Sequence, residues 1–237
     1  MSDRSIRFNA KTHVGRVRKV NEDSILVLPD QQIWVVSDGM GGHEGGDFAS
    51  RMVVDSIAVL PRMAATEKLG QIRHAVQAAH STILREAEAR QAVMGATVVA
   101  LVLAEGHFGA LWAGDSRLYR LRGGRIELLT TDHSVVAALV EAGQMTWDEA
   151  GKHPQANAIT RAVGVGQDLE LDKIRGDALP GDRFLLCSDG LNKYATIAEL
   201  GAAMNGVPIE VVTDQLIQIA LDGGGADNVS VIVVDVE

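Results

Sequence analysis

The chain has 237 residues, of which 46% are hydrophobic and 22% are charged, ordinary values for one globular domain. Lys and Arg number 22 and Asp and Glu number 31, so the net charge of −9 disfavours binding along a nucleic acid backbone. A single cysteine, Cys187, excludes an internal disulfide and a cysteine-based zinc cluster. The chain shows no signal peptide and no run of ~20 apolar residues. We therefore expect a cytoplasmic protein that binds neither nucleic acid nor membrane.

Apolar and β-branched runs in chain order predict strands at residues 25–28, 33–36, 97–103, 108–113, 118–121, 125–129, 183–187 and 229–236. Apolar residues at helical spacing predict helices over 46–60, 72–89, 135–142 and 208–221. We expect His74 and His80, on the second of these helices, to face solvent. Because the strands between 97 and 129 follow one another with tight turns, the pattern favours an α+β architecture of mostly antiparallel sheets with helices outside. With only 5 Pro and no linker-like segment, residues 1–237 are expected to form a single domain.

Acidic residues recur at the predicted strand ends. Asp38 and Asp189 each stand in a Ser-Asp-Gly tripeptide that follows an apolar strand. Asp115 also follows an apolar run and stands beside a glycine, whereas Asp227 and the Glu22-Asp23 pair each precede an apolar run. Converging carboxylates repel each other unless a cation neutralises them, and oxygen-only ligands suit Mg²⁺ or Mn²⁺. A lone Asp-Gly pair usually marks a turn, but the repeated context favours a divalent metal site.

Other chemistries fit the sequence poorly. The glycine-rich stretch after Asp38 follows a strand and precedes a helix, as a dinucleotide-binding loop does, but Glu44 replaces its third glycine. Cys187 is followed six residues later by Lys193, whereas a cysteine phosphatase requires arginine there. No Walker A motif and no His-Glu-x-x-His zinc pair is present.

A set of motifs in a fixed order resembles the metal-dependent protein serine/threonine phosphatases of the protein phosphatase 2C type, in their bacterial form. The matching segments are Gly15 with Arg18 and Asn21 to Asp23, Ser37 to His43, Gly95 to Thr97, Gly114 to Arg117, Asp132 to Ser134, Asn157 to Gly164, Gly181 to Asp182, Ser188 to Gly190, and Asp227 with Asn228. They span about residues 14–236, which is nearly the whole chain. One departure is Ala96, where the family usually has threonine.

The resemblance implies an α-β-β-α sandwich, with two antiparallel sheets face to face and helix pairs outside. It also implies a binuclear Mn²⁺ or Mg²⁺ centre at one end, in which Asp38 bridges both ions. The other ligands by position are the Gly39 carbonyl with Glu22 or Asp23 for one ion, and Asp189 with Asp227 for the other. Asp115 matches a position linked to a third, weaker ion in bacterial members.

The resemblance also implies the chemistry. A water held between two metal ions becomes a hydroxide nucleophile that attacks phosphorus directly, with no covalent phosphoenzyme. Arg18 matches the arginine that binds phosphate, and a guanidinium fork suits that group. His43 has two interpretations: it protonates the leaving alkoxide, or it stabilises the glycine-rich backbone of its loop.

We therefore expect a phosphoric monoester hydrolase that acts on phosphoserine and phosphothreonine in proteins. We expect it to be a monomer and to reverse the phosphorylation carried out by a cognate serine/threonine kinase in a signalling pathway. Two alternatives stay open. One is a non-catalytic pseudophosphatase that binds phosphoproteins, which the intact set of Asp38, Asp189, Asp227 and Arg18 disfavours. The other is a metal phosphohydrolase that acts on small molecules.

The segment from about 134 to 165 matches a mobile flap beside the site in the family. Replacing residues 144–156 with a short Gly/Ser linker should spare hydrolysis of p-nitrophenyl phosphate and impair hydrolysis of a phosphopeptide, because only the peptide must dock on the segment. Steady-state kinetics on both substrates measures the difference. Equal losses on both would show that the segment supports the metal site or the fold instead.

Overall fold

Two antiparallel sheets form the centre of the protein. The computed structural model describes residues 5–41, 45–146, 149 and 153–237. The first sheet has the strand order β1-β11-β10-β7-β8, and the second has the order β2-β3-β5-β6-β9, with β4 paired to β3. The strands are β1 (Ile6–His13), β2 (Asp23–Leu28), β3 (Ile33–Met40), β4 (Gly95–Ala96), β5 (Val98–Ala104), β6 (His107–Ala113), β7 (Arg117–Arg122), β8 (Arg125–Leu128), β9 (Asp172–Asp177), β10 (Arg183–Cys187) and β11 (Val229–Val236).

The helices pack on the two outer faces of this sheet pair. Within the described ranges they are α1 (Gly45–Ala58), α2 (Ala65–Arg90), α3 (Val135–Glu141), α4 (Asp189–Asn192), α5 (Ile197–Met204) and α6 (Ile209–Asp222). Helices α1 and α2 cover the second sheet, and α5 and α6 cover the first. None of the described helices is long and apolar enough to cross a lipid bilayer.

Three apolar layers hold the sandwich together, and alternation along the strands decides which layer each side chain joins. In β3, Ile33 and Val35 face α1 and α2, while Trp34 and Val36 point between the sheets. In an extended strand successive side chains point to opposite faces, so one continuously apolar strand serves two layers. The two-sheet α+β architecture expected from the sequence is therefore confirmed.

Several elements differ from the sequence-based prediction. The edge strands β1 and β9 and the helix α5 were not predicted, and α2 begins seven residues earlier than expected. In β1 and β9 charged and polar residues interrupt the apolar ones, so these two strands lack the apolar run on which a strand prediction depends. The expectation for His80 was wrong: it is buried, and its Nδ1 accepts a hydrogen bond of 2.9 Å from the Gly164 amide.

The topology brings the acidic strand ends to one edge of the sandwich. In the second sheet, Asp23 at the start of β2 lies opposite Asp38 near the end of β3. In the first sheet, Asp189 follows the end of β10, and Asp227 precedes the start of the neighbouring β11. Because neighbouring strands are antiparallel, the end of one lies beside the start of the next.

Gly190 allows the two acidic segments of the first sheet to touch. A Cβ atom at this position would lie 1.9 Å from the Asn228 carbonyl oxygen. We expect Gly190→Ala to destabilise the protein by about 1–3 kcal/mol, the usual cost of overpacking. Urea unfolding of the metal-free protein measures this change.

The matched control is Gly70→Ala on α2, where a Cβ atom would meet nothing within 4 Å. Because glycine is a poor helix former, this change should raise stability by roughly 0.5–1 kcal/mol. If both variants were equally stable, the contact of Gly190 would not constrain the fold.

Candidate active site

An acidic pocket of about 330 Å³ opens at the edge where the strand ends meet. It is lined by Arg18, Glu22, Asp38, Gly39, Met40, Gly41, Thr97, Asp115, Asn157, Ile159, Asp189, Lys193 and Asp227. Five of these residues are carboxylates and two are basic. The pocket therefore unites acidic residues that lie up to about 200 positions apart in the chain.

Asp38 is held by its own backbone at the end of β3. Its amide donates to Thr97 Oγ1 at 3.0 Å, and its carbonyl accepts from the Thr97 amide at 2.8 Å. Thr97 Oγ1 also lies 2.6 Å from Ser116 Oγ. These bonds fix the direction in which the Asp38 side chain leaves the strand.

The adjacent residues Glu22 and Asp23 have different surroundings. Asp23 lies beneath the pocket, where its Oδ2 accepts hydrogen bonds from Ser188 Oγ at 2.8 Å and Ser230 Oγ at 2.7 Å. Glu22 lines the pocket itself, close to the backbone of Gly39 and Gly46. Of the pair that the sequence left open, Glu22 is the carboxylate exposed to the pocket.

Asn228 ties the N-terminal loop to the start of β11. Its Oδ1 accepts a hydrogen bond from the Glu22 amide at 2.8 Å. Its Nδ2 donates to the Val14 carbonyl at 2.9 Å and the Val20 carbonyl at 3.0 Å. Because Arg18 lies in the loop between Val14 and Val20, one amide side chain positions the arginine beside Asp227.

Two basic side chains contact the carboxylates. Arg18 Nε lies 2.9 Å from Asp227 Oδ1. Lys193 Nζ lies 2.5 Å from Asp189 Oδ2 and 3.5 Å from Asp227 Oδ2. The pocket is thus partly neutralised by the protein's own cations.

Burial and mutual repulsion raise the pKa values of the carboxyls. Burial is the first cause for Asp38, whose pKa is well above its usual range, and Asp23 and Asp189 add to the shift. Burial also raises the pKa of Asp23 to about 7, although the hydroxyls of Ser188 and Ser230 oppose the change. The pKa of Asp115 is raised to about 7, again mainly by burial and then by Asp189.

The donor set fits hard divalent cations. Three carboxylate oxygens are buried without a hydrogen-bond partner among the described residues: Glu22 Oε1, Asp23 Oδ1 and Asp189 Oδ1. A Cβ atom at Gly39 would lie 2.1 Å from the Gly46 carbonyl, so only glycine fits beside these groups. Within the described ranges, no three acidic, histidine or cysteine side chains already surround one point as metal ligands do. Gathering the carboxylates around an ion therefore requires side chains to turn.

Backbone hydrogen bonds close the base of the described part of the segment from 134 to 165 and attach its far end to β4. The Val135 amide donates to the Ala158 carbonyl at 2.9 Å, and Val163 exchanges two backbone hydrogen bonds with Ala96. From this segment, Asn157 and Ile159 line the pocket.

The structure brings together all of the predicted site residues that it describes. Arg18, Glu22, Asp38, Gly39, Asp115, Asp189 and Asp227 line the pocket, and Asp23 lies beneath it. His43 lies outside the described residues. Sequence reasoning missed the role of Lys193, although its position four residues after Asp189 would place both on one face of a helix. It also did not name Asn157 and Ile159 as pocket residues, although both lie in the matching segment from Asn157 to Gly164.

Comparison with known proteins identifies the family to which the chain is similar. Residues 12–219 match the protein phosphatase 2C family. The serine/threonine protein phosphatase PstP of Mycobacterium tuberculosis is 36% identical over 98% of this chain. The alignment covers 45% of PstP, so the chain spans about half the length of that curated relative.

Two solved structures share the fold over 98% of each chain. One, described as PppA, a key regulatory component of T6SS in Pseudomonas aeruginosa, is 42% identical with a TM-score of 0.92. The other, the catalytic domain of PstP in complex with two manganese ions, is 34% identical with a TM-score of 0.87.

The chain shares its sandwich fold with proteins described as serine/threonine protein phosphatases. The chain belongs to the protein phosphatase 2C family. The resemblance inferred from the motifs is therefore confirmed.

The raised carboxyl pKa values predict how the metal-free protein responds to pH. The folded state keeps protons on Asp23 and Asp115 up to about pH 7, whereas the unfolded chain releases them near 3.8. Stability without metal should therefore fall as the pH rises between these values. Thermal unfolding in EDTA at about pH 5.5 and about pH 7.5 measures the decline.

Saturating Mn²⁺ should abolish the decline, because a bound cation favours the ionised carboxylates. Asp115→Asn should reduce the slope in EDTA, and Asp168→Asn, on an exposed loop, should leave it unchanged. The same slope with and without Mn²⁺ would contradict this account.

Proposed function

We propose that this protein is a metal-dependent phosphatase that hydrolyses phosphoserine and phosphothreonine in other proteins. The observation that carries the proposal is the convergence of five carboxylates and Arg18 on one pocket, with buried oxygens that lack partners. The family and the relatives named above support the same conclusion.

Two Mn²⁺ or Mg²⁺ ions are the cofactors of this proposal. Asp38, Glu22 and the Gly39 carbonyl would hold one ion, and Asp38, Asp189 and Asp227 would hold the other. Bound divalent ions lower the pKa of water and neutralise charge on a phosphoryl group. Asp23 would support the site from beneath, since its Oδ2 is already occupied by two hydroxyls.

Arg18 would orient the phosphoryl group. Its guanidinium lies at the pocket with half of its side-chain surface exposed, and it pairs with Asp227. A phosphate dianion can accept the same two parallel hydrogen bonds from the guanidinium as this carboxylate, and it carries more negative charge. The arginine can therefore exchange its carboxylate partner for the substrate.

Water would attack phosphorus directly, and the serine or threonine alkoxide would leave. A cysteine nucleophile is disfavoured, because Cys187 is fully buried and burial raises the pKa of its thiol to about 12. His43 as the proton donor, a single domain over 1–237 and a flap at about 134–165 stay predictions. We also propose that the protein is a cytoplasmic monomer that reverses phosphorylation by a serine/threonine kinase.

Asp38→Ala should abolish hydrolysis of p-nitrophenyl phosphate and of phosphopeptides with any divalent metal, because both ions lose a shared ligand. Initial rates with saturating Mn²⁺ and with saturating Mg²⁺ test this expectation. Turnover near the wild-type level in Asp38→Ala would overturn the assignment. Wild-type protein that binds Mn²⁺ but hydrolyses neither substrate would support the pseudophosphatase alternative.

Arg18→Ala is the matched control, since it changes a pocket residue that is not a proposed ligand. It should leave Mn²⁺ binding intact and reduce kcat/KM by about 10- to 150-fold, the value of one charge-assisted hydrogen bond. A higher wild-type kcat/KM on small phosphate metabolites than on phosphopeptides would favour the small-molecule alternative.

A further inference from the structure

Lys193 is fixed inside the acidic pocket by a short helix. Its amide donates to the Asp189 carbonyl at 3.0 Å, which closes one helical turn and sets the two side chains on the same face. The ammonium then contacts Asp189 Oδ2 at 2.5 Å and Asp227 Oδ2 at 3.5 Å.

This lysine differs from the ordinary ion pairs on the protein surface. The Arg62–Asp30 pair, for example, leaves about three quarters of each side chain exposed. Lys193 keeps 29% of its side-chain surface exposed, and its partner Asp189 keeps 15%. It lines the same pocket as Asp115. The adjacent Asn192 donates to the Asp115 carbonyl at 3.4 Å, so α4 lies directly against that residue.

The charges that line the pocket define how many cations it can hold. Five carboxylates and two basic side chains leave three net negative charges when all are ionised. Two divalent ions bring the total to one positive charge, which suits an anionic substrate. A third divalent ion would leave three uncompensated positive charges in a partly buried site, which is costly.

We propose that Lys193 is a built-in cation that replaces a third divalent ion beside Asp115, so that the chain binds two metal ions. The inference rests on the metal centre of the proposed function. In this proposal Asp115 contributes negative charge to the pocket but is not a metal ligand in the native protein. Asp189 Oδ2 stays paired with Lys193, while the buried Oδ1, which has no hydrogen-bond partner among the described residues, would serve the metal centre.

The inference predicts that reversing the charge of Lys193 creates a third metal site. With Lys193→Asp, six carboxylates and Arg18 line the pocket, and three divalent ions restore the net charge that two ions give in the native protein. Equilibrium dialysis against Mn²⁺ followed by elemental analysis counts the ions per chain. We expect two in the wild-type protein, two in Lys193→Arg and three in Lys193→Asp.

Two controls separate the added site from a general effect of charge. Lys173→Asp makes the same charge change on an exposed residue of β9 and should leave the count at two. Adding Asp115→Asn to Lys193→Asp should return the count from three to two. Circular dichroism establishes that each variant is folded.

The wild-type count is informative by itself, whether or not Lys193→Asp folds. Three Mn²⁺ ions in the wild-type protein, or two in folded Lys193→Asp, would overturn the role of Lys193 and leave the proposed function intact. No bound Mn²⁺ in the wild-type protein would overturn the proposed function as well.

Discussion

The buried carboxylate of Asp23 joins the two sheets beneath the pocket. Asp23 begins β2 in one sheet, and the hydroxyls that hydrogen-bond to it belong to the segment after β10 and to β11 in the other. A buried carboxylate is tolerated only when hydrogen bonds or opposite charges satisfy it. The sheets must therefore meet at one relative position, and that position sets the spacing of the acidic strand ends above.

The burial and mutual repulsion of the clustered carboxylates destabilise the metal-free protein. Because a bound cation relieves this repulsion, the same cluster gives the site its affinity for cations. Three apolar layers supply the stability that allows such a cluster to persist. Arg18 and Lys193 relieve part of the repulsion, but Glu22 Oε1, Asp23 Oδ1 and Asp189 Oδ1 have no hydrogen-bond partner among the described residues. The site is thus arranged to bind cations first and a phosphoryl group afterwards.

Apolar patterning predicted the central strands and the outer helices, because β3, β5 and β11 are buried on both faces and read as continuous apolar runs. The edge strands β1 and β9 escaped prediction because an edge strand carries charged side chains and depends on its neighbour for its conformation. Acidic residues at strand ends predicted the site. The difference between Glu22 and Asp23 was not predictable, since it arises from contacts with residues more than 160 positions away. Lys193 escaped notice because a lone lysine in a helix usually faces solvent.

The segment near the pocket is closed at its base by the Val135–Ala158 hydrogen bond and attached to β4 through Val163 and Ala96, which has a consequence for how such proteins diverge. The entropy of closing a loop grows only slowly with its length, by about 0.6 kcal/mol per doubling. Residues between fixed ends can therefore be inserted, deleted or exchanged with little effect on the sheets. Substrate preference can therefore change in that interval while the acidic edge stays the same.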